Sequence, residues 1–374
     1  MHDLFGGAYD GANVFLTGHT GFKGSWMAEW LLNLGATVTG YSDMVMEGRT
    51  HFADISLAGR VTHVLGDVRD LDCLTAAIDE ARPNYVFHLA AQPLVRFSYR
   101  EPLVTIATNV MGTVNVLEAL RVLGRPAVCI VVTSDKCYEN REALLGYRED
   151  DPLGGHDPYS ASKGAAEILT HAYRRSFFYP ADRGIRVASG RAGNVIGGGD
   201  WSADRIVPDC VRSLIAGEPI QVRNPLATRP WQHVLESLSG YLWLGALLAG
   251  RARTCHVNEP LKASEGFNFG PFPEANETVE RLVNELLRHW PGEWEHASEA
   301  KPHHEAGLLG LAVDKAFHKL DWMPTFDFAL AVETTTAWYR DTATGIAEPL
   351  ERTRADIASY VAAAAERGVA WARQ

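Results

Sequence analysis

A short apolar run, Val14-Phe15-Leu16, leads directly into Thr17-Gly18-His19-Thr20-Gly21-Phe22-Lys23-Gly24, and apolar residues at helical spacing follow from Ser25 to Leu34. The glycines are spaced G-x-x-G-x-x-G. Without side chains they allow a tight turn and let a pyrophosphate approach the first free N–H groups of the helix. The helix dipole adds attraction for an anion. A plain strand–helix turn has the same outline. The strand before, the helix after and the place near the chain start favour a dinucleotide site. Gly18, Thr20, Gly21, Phe22, Lys23 and Gly24 are its candidate cofactor contacts.

The same alternation continues downstream. Strands are predicted at Thr37 to Tyr41, His63 to Leu65, Tyr85 to Leu89, Ala127 to Val132 and Arg186 to Ser189. Helices are predicted at Leu71 to Ala81, Asn109 to Val122 and Tyr159 to Phe177. Strands that alternate with helices imply a parallel sheet covered on both faces, and right-handed crossovers make it doubly wound. The fold class is therefore α/β: a doubly wound parallel Rossmann sheet with a smaller, mixed α/β substrate-binding lobe. Residues 1–194 form the dinucleotide domain, with returns at about 232–256 and 308–318. The lobe takes about 195–231, 257–307 and 319–350, where glycine and proline break the rhythm. An Ala-rich C-terminal helix is expected over 351–374.

The second strand ends at Gly40-Tyr41-Ser42-Asp43. A carboxylate there accepts hydrogen bonds from an adenosine ribose and repels a 2′-phosphate, so Asp43 favours NAD over NADP. A solvated aspartate is the alternative. Asp67, after the third strand, faces adenine or else caps the helix that starts near Leu71.

Tyr159 and Lys163 are four apart on a predicted helix and share one face. An ammonium beside a phenol favours the phenolate, which would let the tyrosine act as a base. The strand Ala127 to Val132 leads to Ser134, whose hydroxyl would hydrogen-bond a reacting hydroxyl group. A pair on the surface of a helix is the simpler alternative. Tyrosine, lysine and serine in register favour redox chemistry.

Several function classes recede. The net charge of -11 argues against a nucleic-acid binder but not against an anionic ligand held by local arginines. The five cysteines, Cys73, Cys129, Cys137, Cys210 and Cys255, have no metal-ligand or C-x-x-C spacing and read as reduced thiols. Met1 to Asp10 lacks the pattern of a signal peptide. The apolar stretch around Leu238 to Ala249 is too short to cross a bilayer and reads as a buried helix. The expected location is the cytoplasm. His303-His304-Glu305 does not suggest a metal site, because adjacent residues rarely converge on one ion.

Thr17 to Gly24, His88-Leu89-Ala90-Ala91, Asn109 and the Tyr159/Lys163 pair together resemble the extended short-chain dehydrogenase/reductase family of NAD-dependent epimerases and dehydratases. Longer strings resemble its CDP-glucose 4,6-dehydratase branch. They are Thr17 to Trp26, Ala90-Ala91-Gln92-Pro93-Leu94-Val95-Arg96, Thr133-Ser134-Asp135-Lys136-Cys137-Tyr138, Arg191 to Trp201, and Arg229-Pro230-Trp231-Gln232-His233-Val234. The likeness runs from about Ala12 to Trp338.

The resemblance implies NAD as cofactor and a nucleotide sugar, CDP-glucose, as substrate. It adds Val68, Leu89, Ala90, Ala91 and Asn109 to the cofactor contacts, alongside Tyr159 and Lys163. It implies that Tyr159 takes the proton of the sugar 4-hydroxyl and that Lys163 holds the ribose. Asp135 would act as acid toward the departing 6-hydroxyl, and Lys136 would replace a glutamate as base at C5. A free lysine titrates near ~10.4, so Lys136 must be depressed to serve. An ionised Asp135–Lys136 contact would defeat both roles. Gln92, Arg96, Asn194, Arg205, Arg223, Arg229 and Trp231 are the candidate substrate contacts, with Arg229 suited to a diphosphate. Arg191 and the other arginines are as compatible with structural ion pairs. A 4-epimerase or decarboxylase of this fold, or a nucleotide sensor without catalysis, remains open. The resemblance also implies a homodimer or dimer of dimers, through the helices near Asn109 to Val122 and Tyr159 to Phe177.

Overall fold

The computed structural model describes residues 1–43, 48–179, 184–203, 205–297 and 308–373. His303, His304 and Glu305 lie outside the described residues. Seven strands form one sheet: β1 (Asn13–Thr17), β2 (Thr37–Ser42), β3 (Thr62–Leu65), β4 (Tyr85–His88), β5 (Ala127–Val132), β6 (Ile185–Ala192) and β7 (Gly266–Phe269). Their order is β7-β6-β5-β4-β1-β2-β3, and every neighbouring pair is parallel. The order reverses beside β1, which opens the crevice of a doubly wound Rossmann sheet at the carboxyl ends of β1 and β4.

Helices cover both faces. They include α1 (Phe22–Asn33), α2 (Leu71–Ala81), α3 (Pro102–Leu123), α4 (Pro158–Phe177), α5 (Val234–Ala249) and α6 (Pro349–Glu366). The sheet is apolar on both sides, and β4 and β5 are buried at every position, as two helical layers require. Each fully buried leucine of α5, such as Leu238 or Leu242, contributes about 2 kcal/mol of transfer free energy. α3 is long and apolar enough to cross a membrane by composition, but half of it is buried inside the fold. Asn115 on α3 donates to the Val68 and Arg69 carbonyls at 2.9 and 3.0 Å, contacts made within the protein.

Two expectations need correction. β7 falls inside 257–307, assigned above to the small lobe, yet it pairs with β6 and completes the large sheet. Its four residues, Gly266-Phe267-Asn268-Phe269, are too short to stand out among loop-rich neighbours. The last helix spans Pro349–Glu366 instead of 351–374. Proline at its first turn starts it, and Gly368 at φ +65° turns the chain away. Trp371 then stacks on Phe5 at 4.9 Å, which joins the two chain ends. Outside the large sheet, three short strand pairs occur: Val195–Ile196 with Gln232–His233, Thr228–Pro230 with Asn276–Thr278, and Ile220–Val222 with Trp294–His296.

Candidate active site

The glycine turn is built as the spacing requires. Gly18 has φ +74°, and a β-carbon there would lie 2.7 Å from the Ala90 nitrogen. A β-carbon on Gly24 would overlap the Gly18 carbonyl. Backbone from β1 and β4 therefore meets at van der Waals distance, and only glycine permits it. Thr17 locks the same junction. Its hydroxyl accepts from the Ala90 N–H at 3.1 Å and pairs with His88 Nδ1 at 2.8 Å. Gly21 caps α1 without any side chain, which leaves the first N–H groups of the helix open for a phosphate. Thr20 is tied to Ser42 at 2.8 Å, and Phe22 lies against Gly197. The donors and the cradle fit a dinucleotide pyrophosphate.

Asp43 is exposed directly after β2. Asp67 is engaged elsewhere: it accepts from the Arg69 backbone at 2.8 Å and from its guanidinium. That pairing holds its carboxyl below the usual range. Asp67 does not cap α2 either, because Asp70 does so through the Cys73 N–H at 3.0 Å. Val68 is buried against Gly112. Leu89 and Ala90 border the turn itself, and Ala91 follows them.

Asn109 is a clamp. Its side chain accepts from the Gln92 N–H at 2.7 Å and donates to the Gln92 carbonyl at 3.1 Å and to Ser162 at 2.9 Å. It joins the loop after β4 to α4 and so fixes the helix that carries Tyr159. The Gln92 side chain is also occupied, by Leu94 and Thr105.

β5 ends in a short turn that presents Ser134, Asp135 and Lys136 opposite α4. Ser134 donates to Asp135 Oδ1 at 2.8 Å and acts on the Tyr159 hydroxyl across the turn. Burial pushes the Tyr159 phenol up to about 12; the Ser134 hydrogen bond pulls down most strongly, Asp135 pushes up and Arg205 pulls down. Lys163, expected to depress the phenol, is itself pushed down to about 8 by burial. Lys136 Nζ stands 3.6 Å from Asp135 Oδ1, so the feared contact exists as a loose ion pair. Asp135 Oδ2 is buried without a hydrogen-bond partner and faces the space beside Gly193.

One residue of this helix face was missed. Tyr159, Lys163 and Glu167 are successive four-residue steps. Glu167 accepts from Thr133, from Ser189 at 2.7 Å and from Arg191 at 2.9 Å, all buried. The Y-x-x-x-K-x-x-x-E spacing was the available signal. Arg191 is thereby structural, and it also donates to the Tyr138 hydroxyl at 2.6 Å.

The substrate candidates separate. Arg205 pairs with Asp200 at 2.8 Å and reaches the field of Tyr159. Asn194 sits after β6, where its carbonyl accepts from Gln232. Arg223 pairs with Asp209 at 3.5 Å, and Arg229 donates to the Thr228 carbonyl at 2.7 Å. Arg96 lies on the short helix Val95–Arg100. Trp231 is 4% exposed, and its indole donates to the Glu277 carbonyl at 3.0 Å. It fills the core and leaves no face for a base to stack on.

The family model for GDP-mannose 4,6 dehydratase matches residues 15–335. The chain belongs to that family. It is 45% identical over 336 residues to the CDP-glucose 4,6-dehydratase of Salmonella typhimurium, covering 89% of this chain and 91% of that one. It is 25% identical over 348 residues to a dTDP-glucose 4,6-dehydratase of Xanthomonas campestris pv. campestris, covering 88% and 93%. Among solved structures it resembles DesIV, the dTDP-glucose 4,6-dehydratase of Streptomyces venezuelae, solved with NAD bound. There the TM-score is 0.72 at 24% identity, over 90% of this chain and 99% of that one. The UDP-glucose 4-epimerase of Thermotoga maritima gives a TM-score of 0.74 at 22% identity, over 88% and 99%. Those two likenesses are likenesses of fold.

Proposed function

We propose that this chain is an NAD-dependent CDP-glucose 4,6-dehydratase that yields the 4-keto-6-deoxy sugar nucleotide and water. The observation that carries the reading is the Asp135–Lys136 pair set beside Ser134 and Tyr159. Oxidation at C4 needs only the serine, tyrosine and lysine. A 4-epimerase stops there. Elimination across C5–C6 needs a further acid and a further base, and the turn after β5 supplies one of each.

The Gly18–Gly24 turn, Asp43 and Lys163 would hold NAD, which would supply a reversible hydride acceptor and, while oxidised, a positive charge near the phenol. That charge is the missing influence that lowers Tyr159 toward a useful range. Ser134 holds the hydroxyl in line. Once C4 is a ketone, the C5 proton is acidic, because the resulting carbanion is an enolate.

The ionised Asp135–Lys136 pair does not block the next step. Ammonium plus carboxylate holds the same number of protons as amine plus carboxylic acid. A sugar that closes over the pair removes water, and low dielectric favours the neutral form. In that form Lys136 can accept the C5 proton and Asp135 can donate to the 6-hydroxyl. Arg205 is the best placed of the arginines to reach the substrate.

The residues around the short strand pairs form the lobe that covers the sugar nucleotide. Leu103, Ile106, Met111 and Ile168 lie exposed on α3 and α4, and a second copy would cover them in a homodimer. A cytoplasmic location suits exposed free thiols at Cys73 and Cys255.

The test is to offer CDP-, dTDP-, GDP- and UDP-linked glucose with NAD and follow loss of one water by mass spectrometry. CDP-glucose should be converted fastest. Epimerised hexose without loss of water would replace this reading with the epimerase.

A further inference from the structure

Two separate elements deliver the reacting groups. The turn after β5 carries Ser134, Asp135 and Lys136, and α4 carries Tyr159 and Lys163. One sugar ring must meet both sets at once, at C4, C5 and C6, so a small displacement of one element against the other misplaces half of the chemistry. The connecting chain, Tyr138 to Asp157, is loop and does not fix their separation.

Two contacts span the gap. At Gly164, next to Lys163, the helix comes so close that a β-carbon would stand 3.0 Å from the Gly154 carbonyl oxygen and 3.1 Å from that of Cys137, the last residue of the turn. That contact limits approach but does not resist sliding. Glu167, one helical turn beyond Lys163, supplies a directional contact. It is 3% exposed. One of its oxygens accepts from Thr133, the residue directly before Ser134. The other accepts from Ser189 on β6 at 2.7 Å and from Arg191 at 2.9 Å. Arg191 is itself held by the Tyr138 hydroxyl at 2.6 Å and the Glu149 carbonyl at 3.3 Å. Burial raises the Glu167 carboxyl, but the Arg191 charge and the hydrogen bonds from Arg191, Thr133 and Ser189 outweigh it and hold it below the usual range. An ionised carboxylate is an acceptor only and suits three converging donors.

We propose that Glu167 is a positioning residue: through Thr133 it sets the turn that carries Ser134, Asp135 and Lys136 against the helix that carries Tyr159 and Lys163. The inference rests on the dehydratase reading above. Glu167 acts through those two elements and takes no proton in the reaction. Its two hydroxyl partners differ in what they hold. Ser189 belongs to a strand that carries no acid or base of the reaction, so its bond stabilises the fold alone. Thr133 leads directly into the reacting turn, so its bond stabilises the fold and also aligns the site.

That difference makes the test. Glu167 itself is a poor target, because its removal leaves the Arg191 guanidinium buried and unpaired. The experiment alters the partners in the full-length enzyme, assayed with NAD and CDP-glucose. Thr133→Val keeps the shape of the side chain and removes the hydroxyl. Ser189→Ala removes the matching bond to the other oxygen, and Thr133→Ser keeps the hydroxyl. Thr133→Val should lower kcat by about tenfold or more while KM changes by less than about threefold. Ser189→Ala should keep kcat within about twofold, and Thr133→Ser within about threefold. A Thr133→Val enzyme with the parent's kcat, a Ser189→Ala enzyme as slow as it, or a Thr133→Ser enzyme no faster than the valine variant would each overturn the inference and leave the dehydratase reading standing. A parent enzyme that forms no 4-keto-6-deoxy product takes both down.

Discussion

Acid should unfold this protein through its buried histidines, and one of them can be isolated. His51, His88 and His233 are each no more than 2% exposed, and burial pushes each down to about 3. His19 is fully buried, its Nε2 2.6 Å from His63 Nδ1, and burial with His63 pushes it down to about 4. In the unfolded chain each titrates near 6.5. The sign follows. The folded values are lower, so between pH 7 and 5 the unfolded state gains protons that the folded state refuses, and stability falls with pH. Each site loses about 2 kcal/mol over that interval. Glu236 and Asp356 act the other way. Burial raises both to about 7, so each gains about 2 kcal/mol as pH falls. Four losses outweigh two gains, and the net loss is about 4 kcal/mol, a large share of an ordinary stability. His233 is the clean test. Its Nδ1 accepts from the Leu235 N–H at 3.4 Å and caps α5, which places the ring proton on Nε2. Asparagine keeps such a cap and does not titrate. His233→Asn should lower stability at both pH values through lost ring contact with Trp26 and Phe326. The further loss from pH 7 to 5, read from urea unfolding at each pH, should shrink by about 2 kcal/mol. A variant that loses as much as the parent over that interval would refute the reasoning.

Other outcomes follow from the site. Tyr159→Phe should lower kcat by about 10³-fold while the nucleotide-sugar Kd, from calorimetry, changes by less than about threefold; near-normal turnover would remove the phenol from the chemistry. Lys136→Met should stop exchange of a C5 deuterium with water, read by mass spectrometry, yet still allow oxidation at C4; unchanged exchange would clear Lys136 of the base role. Gly18→Ala forces a β-carbon to 2.7 Å from the Ala90 nitrogen at φ +74°. That strain, about 1–3 kcal/mol, should weaken NAD binding at least tenfold while circular dichroism stays native; unchanged affinity would show that the turn does not hold the cofactor.

The large sheet was legible where its units are local. From Asn13 to Phe177 side-chain periodicity sets most bounds to within three residues; the exception is α3, which starts at Pro102, seven residues before the expected Asn109. α1 begins at Phe22, three residues before its apolar pattern, because capping by Gly21 leaves no side-chain signal. β7 was illegible for the opposite reason. It reaches the sheet about seventy residues after β6, and its pairing depends on Ser189 to Ala192 as much as on itself. Asp67 and Trp231 show a related limit. Composition gives their chemistry, but Arg69 takes the carboxylate and the Glu277 carbonyl takes the indole, and neither partner is implied by a motif.

The candidate catalytic residues were legible as a set because two short strings carry them, Ser134-Asp135-Lys136 and Tyr159 to Lys163, whereas their protonation was not, because it is a property of the gathering. Tyr159 and Lys163 share a helix, yet the strongest downward pull on the phenol comes from Ser134, on another element. Lys23 lies 218 residues from the Tyr241 hydroxyl it meets. Asp135 is the centre where these influences cross: Ser134 and Lys136 approach one oxygen, the other has no partner, and Lys23 acts from farther off. A buried oxygen without a partner is unfavourable by about 1–3 kcal/mol unless a ligand satisfies it. In the proposed elimination Asp135 protonates the departing 6-hydroxyl, so the substrate group that receives its proton would also satisfy this oxygen.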